Sequence, residues 1–319
     1  MKPRIAVIGA GKFGQNHIRI ASDSPRADLV AIVDTNRERA VEAAAARQCA
    51  AYQNASEILG KVDCAIIAAP TSVHAEIGCA LLKTGIDVLI EKPITPTLAD
   101  ADLLIEAARI HGRILQVGHL ERFNPAVLAL EKIAKLPLFF EVHRMSVFSP
   151  RSLDVDVVLD LMIHDLDVVL ALAHGELEEI RAAGISILSP KVDIANVRLQ
   201  FNDGCVANLT ASRVSIERIR KLRVFQPRQY ISLDYAAQSL IAISVDEQKE
   251  VSFDPVEIVK GEPLQLQFDA FLDSVESRSQ PKLDGATARR TLEVALRILD
   301  KIEEHSRVVA KTLNSAWKP

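Results

Sequence analysis

The chain has 319 residues, of which 49% are hydrophobic and 25% charged, as in a soluble globular protein with a substantial core. Its formal net charge is −4 and its lysines and arginines are scattered, which argues against nucleic acid or an anionic membrane as the main partner. The four cysteines form neither a C-x-x-C pair nor a zinc-ligand spacing, so we expect small buried residues in a reducing compartment.

The chain opens with a β-branched run that leads directly into a glycine turn, which leaves no room for a secretory signal peptide. No stretch reaches the length of uninterrupted apolar sequence that a membrane span needs. We therefore expect a cytoplasmic protein without a membrane partner.

Short β-branched runs alternate with helical patterns through the first 120 residues. Strands are predicted at 4–8, 29–33, 64–68, 87–90 and 114–118, and helices at 14–22, 37–46, 74–83 and 98–111. Alternation at this pitch predicts a parallel sheet with helices on both faces. We therefore expect an α/β fold that begins with a doubly wound domain over residues 1–122.

The pattern changes in the second part of the chain. Helices are predicted at 125–135 and 156–174, and strands at 138–148, 177–188, 192–201, 205–215, 218–225, 230–235 and 240–245. Consecutive strands without helices between them predict an open, mostly antiparallel sheet. Helices are predicted at 264–277 and 286–305, and residues 312–319 are expected to be a loose or surface-packed tail. We therefore expect residues 123–319 to form a second α/β domain.

A G-x-G-x-x-G motif follows the first strand and opens the first helix. Gly9 suits the tight turn, Gly11 the close approach of a pyrophosphate, and Gly14 the packing of helix on strand. The helix N-terminus, with Lys12 and Phe13, offers unpaired N–H groups to phosphates. The motif predicts a dinucleotide site in a Rossmann domain; a glycine turn without a ligand is the alternative.

Asp34 ends the second predicted strand, about twenty residues after Gly14, where a carboxylate can accept hydrogen bonds from the adenosine ribose. A carboxylate there repels a 2′-phosphate, so NAD is favoured over NADP as cofactor. Arg37 could soften this preference, or it could simply begin a solvent-facing helix.

Two strand ends carry further candidate residues, because ligands of open parallel sheets bind outside the carboxyl ends of the strands. Residues 68–74 follow the third predicted strand, and Glu91, Lys92 and Pro93 follow the next. A lysine in a cofactor crevice can hydrogen-bond a substrate hydroxyl or help to move its proton. A surface lysine is the alternative.

An apolar helix in the middle of the chain carries a polar stripe. At about 100° per residue, four side chains fall within roughly 80° of one another, namely Asp156, Asp160, His164 and Asp167. Asp165 points elsewhere. The stripe is a paired structural network, a solvated face or the wall of a cleft, and its spacing lets Asp160 orient His164 toward a ligand.

The chain resembles the glucose–fructose oxidoreductase/inositol dehydrogenase/MocA (Gfo/Idh/MocA) family over essentially its whole length. Three motifs carry the resemblance: the glycine motif, Glu91-Lys92-Pro93 and Asp160-x-x-x-His164-x-x-Asp167. The resemblance implies an NAD-dependent dehydrogenase whose open sheet often forms the interface of a homodimer or homotetramer. It implies that Lys92, Asp160 and His164 are catalytic and that the Lys92–Pro93 bond is cis. It also implies additional cofactor contacts at Pro70, Thr71, His74, Glu91 and Lys92.

Residues 118–125, which read Gly-His-Leu-Glu-Arg-Phe-Asn-Pro, and residues 159–165 are similar to one group of this family, the bacterial UDP-N-acetylglucosamine 3-dehydrogenases. This resemblance implies oxidation of the sugar 3-hydroxyl to a ketone, ahead of transamination, for lipid A built on a diamino sugar. A set of basic residues could meet the diphosphate: Arg213, Arg218, Arg220, Lys221 and Arg223. A solvated charge set on an edge strand is the alternative.

For this reaction His164 is the expected base, Asp160 would hold its tautomer, and Lys92 would stabilise charge on the same oxygen. The candidate substrate contacts are Lys92, His119, Arg122, Asn124, Asp167 and Arg213. For His119, Arg122 and Asn124 the alternative role is capping of the hinge between the domains, and for Asp167 it is local pairing. A dehydrogenase of a free cyclitol or sugar and a non-catalytic dinucleotide sensor are the competing functions. No metal is expected, since His164 lacks a second ligand at zinc spacing.

Overall fold

The computed structural model describes residues 2–148 and 155–316, with side chains to residue 311. The chain divides into two compact units, one of residues 1–120 and 262–292 and one of residues 121–261 and 293–319. Within the described ranges, every helix is too short or too polar to cross a membrane.

The N-terminal unit contains a six-stranded parallel sheet in the order β3-β2-β1-β4-β5-β6. Its strands are β1 Arg4–Ile8, β2 Asp28–Val33, β3 Ala50–Tyr52, β4 Cys64–Ile67, β5 Asp87–Glu91 and β6 Leu115–Gly118. Its first four helices are α1 Lys12–Asp23, α2 Arg37–Ala45, α3 His74–Lys83 and α4 Leu98–His111. The central strands are buried, as expected for strands covered on both faces.

The order of the sheet reverses between β1 and β4, which pair in register from Ile5 with Cys64 to Ile8 with Ile67. In a doubly wound sheet this switch point opens the ligand crevice at the carboxyl ends of the strands. The predicted Rossmann domain is therefore confirmed, and its crevice lies next to the glycine motif.

One helix of the N-terminal unit comes from late in the chain. Helix α7, Pro263–Ser277, buries Leu264, Phe268 and Phe271 in the same apolar core as strands β1, β2 and β4. The bounds of the two units thus differ from the domain boundary predicted at residue 122, because residues 262–292 belong to the first unit.

The C-terminal unit contains an eight-stranded mixed sheet in the order β14-β13-β12-β11-β7-β10-β9-β8. Its strands are β7 Phe139–Val147, β8 Leu177–Ile185, β9 Ile194–Phe201, β10 Val206–Ser215, β11 Ile219–Gln226, β12 Gln229–Asp234, β13 Ser239–Val245 and β14 Val251–Pro255. All neighbouring strands are antiparallel except β7 and β10. The predicted open, mostly antiparallel sheet is confirmed.

Two helices of this unit are α5 Pro125–Ile133 and α6 Ile163–Leu172, and α8 Gly285–Ala316 runs from the first unit into the second. The predicted helix 156–174 begins instead with a π-helical turn over Val158–Met162, so its polar residues do not follow uniform α-helical spacing. A loose tail from residue 312 is wrong as far as residue 316, because α8 continues there, and residues 317–319 of the predicted loose or surface-packed tail lie outside the described residues.

Candidate active site

The glycine motif forms the turn between β1 and α1. Gly9 has φ +97°, and a Cβ there would lie 2.5 Å from the Ala68 carbonyl oxygen. A Cβ on Gly14 would lie 1.8 Å from the Gly9 carbonyl oxygen, so this glycine permits close packing. A Cβ on Gly11 would have no neighbour within 4 Å among the described atoms and would enter open space.

A cavity of about 820 Å³ opens in front of this turn. It is lined by the predicted contacts Gly9, Gly11, Lys12, Phe13, Asp34 and Pro70. Ser72, from the predicted strand end 68–74, also lines it, and so do Arg39 and Gln53, which sequence reasoning missed. These last two residues give no motif signal, because helix α2 and short strand β3 bring them to the crevice only in the folded domain.

Asp34 is buried at one end of the cavity and holds the turn together. Its carboxylate accepts hydrogen bonds from the backbone N–H groups of Ala10 at 2.8 Å and Asn36 at 2.9 Å. The Arg39 guanidinium, half exposed, lies 3.4 Å from the same carboxylate. Arg37 lines a different cavity with Tyr52, so Arg39 is the arginine at the cofactor crevice.

These features fit a dinucleotide. The N-cap residue of helix α1 is Gly11, which has no side chain to cap it, so the N–H groups of the first turn are left for an anion. The open space in front of Gly11 admits a pyrophosphate, and Asp34 can accept from a ribose. The residues present therefore fit a nicotinamide dinucleotide.

Glu91 and Lys92 lie at the carboxyl end of β5, and the Lys92–Pro93 bond is cis as predicted. Glu91 is buried, whereas Lys92 is partly exposed. Neither lines the cavity described above, and Gly14 and Thr71 do not line it either. Their roles toward a cofactor stay predictions.

His74 connects two loops at this edge of the sheet. Its Nε2 lies 2.9 Å from the Ala69 carbonyl oxygen, and its Nδ1 lies 3.1 Å from that of Ile94 and 3.2 Å from that of Pro93. Burial lowers the pKa of His74, although hydrogen bonds to these carbonyl oxygens act to raise it. The ring thus ties the loop after β4 to the turn that follows Lys92.

In the C-terminal unit, Asp160 lies in the π-helical turn and His164 in the first turn of α6. Both residues are partly exposed, whereas their neighbours Met162, Ile163 and Asp165 are buried. The two polar residues are thus four positions apart across the junction of the π-helical turn and α6, and π-helical turns are frequent at functional sites.

Asp156 and Asp167, the other members of the stripe, contact residues that are distant in the sequence. Asp156 accepts from the Val192 backbone N–H at 2.9 Å, which gives it a structural role. Asp167 is buried, and its Oδ2 lies 3.4 Å from Nη1 of Arg122. Asp167 therefore pairs with Arg122, a second candidate residue, and the role of either residue toward a substrate stays a prediction.

Two further candidates contact the backbone. Asn124 caps α5 by accepting from the Ala126 N–H at 3.1 Å, and it donates to the Tyr235 carbonyl at 3.0 Å. The capping alternative therefore describes Asn124. Buried Arg213 donates to the carbonyl oxygens of Val155 and Val192, which favours a structural role over diphosphate contact. His119 is buried directly after β6.

The remaining basic residues divide between the two faces of the sheet. Strand β11 lies between β12 and β7, so the edge-strand interpretation is wrong. Arg220 is partly buried; burial and the charge of Arg144 lower its pKa. Arg223 pairs with Glu141 at 2.8 Å on the opposite face, which Lys221 shares by strand alternation.

Among the residues with described positions, no three His, Cys, Asp or Glu side chains are grouped to hold a metal ion.

Comparison with known proteins agrees with these features. Residues 3–119 match the oxidoreductase family with an NAD-binding Rossmann fold (GFO_IDH_MocA), and residues 141–228 match the GFO/IDH/MocA C-terminal domain. The UDP-N-acetylglucosamine 3-dehydrogenase of Acidithiobacillus ferrooxidans is 35% identical over 306 residues, which is 94% of this chain and 97% of that protein. Its solved structure superposes with a TM-score of 0.90 at 34% identity, covering 96% of this chain and 99% of the other.

The myo-inositol 2-dehydrogenase of Thermotoga maritima is 26% identical over 324 residues, which is 94% of this chain and 96% of that protein. The chain therefore belongs to the Gfo/Idh/MocA family of oxidoreductases, as its motifs predicted. Within that family it is a dehydrogenase with a dinucleotide-binding Rossmann domain.

Proposed function

We propose that this protein uses NAD to oxidise a sugar hydroxyl to a ketone, with the 3-hydroxyl of UDP-N-acetylglucosamine as its substrate group. The observation that carries the proposal is the dinucleotide cavity between Gly11 and Asp34, in a chain 35% identical to an enzyme of that activity. The product is a precursor of a diamino sugar for lipid A.

In the proposed reaction His164 takes the hydroxyl proton, and Asp160 orients the imidazole and stabilises the imidazolium. Lys92 donates a hydrogen bond to the same oxygen and stabilises the negative charge that develops there. NAD held by the glycine turn and Asp34 would supply the acceptor for the hydride that leaves the carbon. His119 and the Arg122–Asp167 pair are proposed substrate contacts.

The diphosphate contacts are proposed for Arg218 and Arg220. Arg220 extends from β11 on the face that carries the buried Leu222 and Val224, whereas Lys221 and Arg223 extend from the other face. Since Arg213 contacts backbone carbonyls, we leave it out of this subsite.

The test is turnover by the purified protein with NAD or NADP and UDP-N-acetylglucosamine, free N-acetylglucosamine or myo-inositol, followed by absorbance of the reduced nicotinamide. Turnover confined to UDP-N-acetylglucosamine supports the proposal. Turnover confined to inositol favours the activity of the Thermotoga maritima relative. Binding of NADH without turnover of any polyol favours a dinucleotide sensor.

The proposed base is tested in the same assay. His164→Ala is expected to lower kcat by about 100-fold or more. His174→Ala changes an exposed histidine shortly after α6 and is expected to leave kcat unchanged. Equal kcat values for the two variants contradict the role of His164.

We also propose that the outer face of the C-terminal sheet forms a homodimer or homotetramer interface. A row of apolar side chains crosses five strands on the face opposite the core: Phe139, Phe225, Tyr230, Ile243 and Phe253. Phe253 is 67% exposed, and such a continuous apolar surface is typical of interfaces. Phe253→Asp should reduce the mass measured by light scattering, and an unchanged mass contradicts this proposal.

A further inference from the structure

A buried histidine on α1 contacts the glutamate that precedes Lys92. The His17 Nε2 lies 2.8 Å from the Glu91 Oε1, and both side chains are almost entirely buried. The His17 ring also packs edge-on against Phe13, with 5.5 Å between ring centroids. Phe13 lines the cofactor cavity, so His17 lies directly behind the cavity wall.

The proton of the His17 ring is best placed on Nε2. Its Nε2 faces a carboxylate oxygen, which accepts hydrogen bonds, whereas its Nδ1 is buried and has no hydrogen-bond partner among the described atoms. His17 therefore donates to the Glu91 carboxylate.

The other oxygen of this carboxylate contacts the next residue of the chain. The Lys92 backbone N–H donates to Glu91 Oε2 at 3.3 Å. Glu91 thus connects the side chain of His17 with the backbone of Lys92. Buried carboxylates require such donors, because desolvation without them costs several kcal/mol.

Strand β6 fixes the carboxylate from a third side. A Cβ on Gly118 would lie 2.6 Å from Glu91 Oε1 and 3.0 Å from Oε2, so only a glycine leaves room for this carboxylate. Helix α1, strand β5 and strand β6 therefore hold one carboxylate between them, directly before Lys92.

We propose that His17 is a positioning residue for the reaction: by holding Glu91, it fixes the backbone from which the Lys92 ammonium extends. This inference rests on the proposed function, in which Lys92 stabilises charge on the substrate oxygen. It assigns His17 no contact with substrate or cofactor.

The test compares His17→Leu, which removes the donor, with His17→Gln, whose amide can still donate to Glu91. His17→Leu is expected to lower kcat by about 10- to 100-fold while the Kd for NADH changes less than about threefold. His17→Gln should recover most of the lost kcat. Ile20→Val is the matched control, because it removes a buried methyl from the same helix without touching Glu91.

A second measurement needs no substrate. The rate at which trinitrobenzenesulfonate modifies Lys92 is followed by peptide mass spectrometry, with exposed Lys83 as the internal reference. His17→Leu should change the Lys92 rate at least threefold and leave the Lys83 rate unchanged. If the leucine variant does not fold, His17→Asn, which is too short to reach Glu91, takes its place.

Two results overturn the inference. One is a kcat of the leucine variant, or of the asparagine variant that replaces it, equal to the kcat of Ile20→Val. The other is an unchanged Lys92 labelling rate. A wild-type protein that turns over no polyol instead refutes the proposed function. In that case the labelling rate still tests whether His17 positions Lys92.

Discussion

Arg144 on β7 donates hydrogen bonds to both carboxylate oxygens of Asp165, at 2.5 and 3.0 Å, and Asp165 directly follows His164 in α6. The same guanidinium lies 3.0 Å from Glu121 and 5.1 Å from the centre of the Tyr235 ring. Burial alone would lower the pKa of Arg144, but the two carboxylates raise it, so the arginine stays charged. This buried cluster anchors the first turn of α6 next to the proposed base.

Removal of Arg144 is expected to be severely destabilising. Arg144→Met leaves two buried carboxylates without their cation, and we expect a loss of about 3–5 kcal/mol in the free energy of unfolding, measured by urea denaturation. Arg198→Met removes an exposed arginine from β9 and should cost less than about 0.5 kcal/mol. Similar losses for both variants would show that the cluster does not anchor the helix.

The polar helix shows what the sequence could and could not predict. Its spacing separated Asp165 from the stripe, but Arg144 is a partner from a distant strand, and helical periodicity carries no information about such a pairing. The contact of Asp156 with Val192 is equally long-range. The π-helical turn was missed because hydrophobic periodicity assumes one constant rotation per residue.

The Rossmann sheet and the glycine turn were predictable because local signals specify them: β-branched runs, helical spacing and glycines at fixed positions. The return of α7 to the first unit was not. An amphipathic pattern shows that Phe268 and Phe271 lie on an apolar face, but not which core covers that face. Strand β3 has only three residues, too few for a periodic signal.

The second and third glycines of the motif should respond differently to substitution. Gly11→Val places its side chain in open space, so the urea midpoint should change little while the affinity for NADH falls at least tenfold. Gly14→Ala drives a Cβ into the Gly9 carbonyl and should lower the urea midpoint. NADH fluorescence titration and urea denaturation measure the two effects, and intact NADH affinity in Gly11→Val would argue against pyrophosphate at this turn.

Cofactor choice should depend on Asp34. Asp34→Ser keeps an acceptor near the Ala10 N–H but removes the charge that repels a 2′-phosphate, and Arg39 remains as a cation in the same cavity. We expect the ratio of NADPH to NADH affinity to rise at least tenfold, measured by fluorescence titration. Arg37→Gln is the control and should leave the ratio unchanged, because Arg37 lines another cavity. An unchanged ratio in Asp34→Ser contradicts the proposed preference for NAD.

Acid stability of the C-terminal unit should depend on Asp193. Burial by itself would raise its pKa, but hydrogen bonds from the Ser189 side chain and from the backbone N–H groups of residues 187–189 outweigh it and lower the pKa to about 2. Because the folded value is depressed, the stabilisation is complete above the unfolded value near 4 and is lost as the pH falls toward 2.

Asp193→Asn should therefore cost about 2 kcal/mol in the free energy of unfolding at pH 7 and flatten its decline between pH 4 and pH 2. Urea denaturation across this pH range measures both effects. Asp254→Asn, at an exposed position on β14, should leave the profile as in the wild type. If Asp193→Asn keeps the wild-type decline, another carboxylate controls the acid transition, and the hydrogen bonds around Asp193 contribute little net stability.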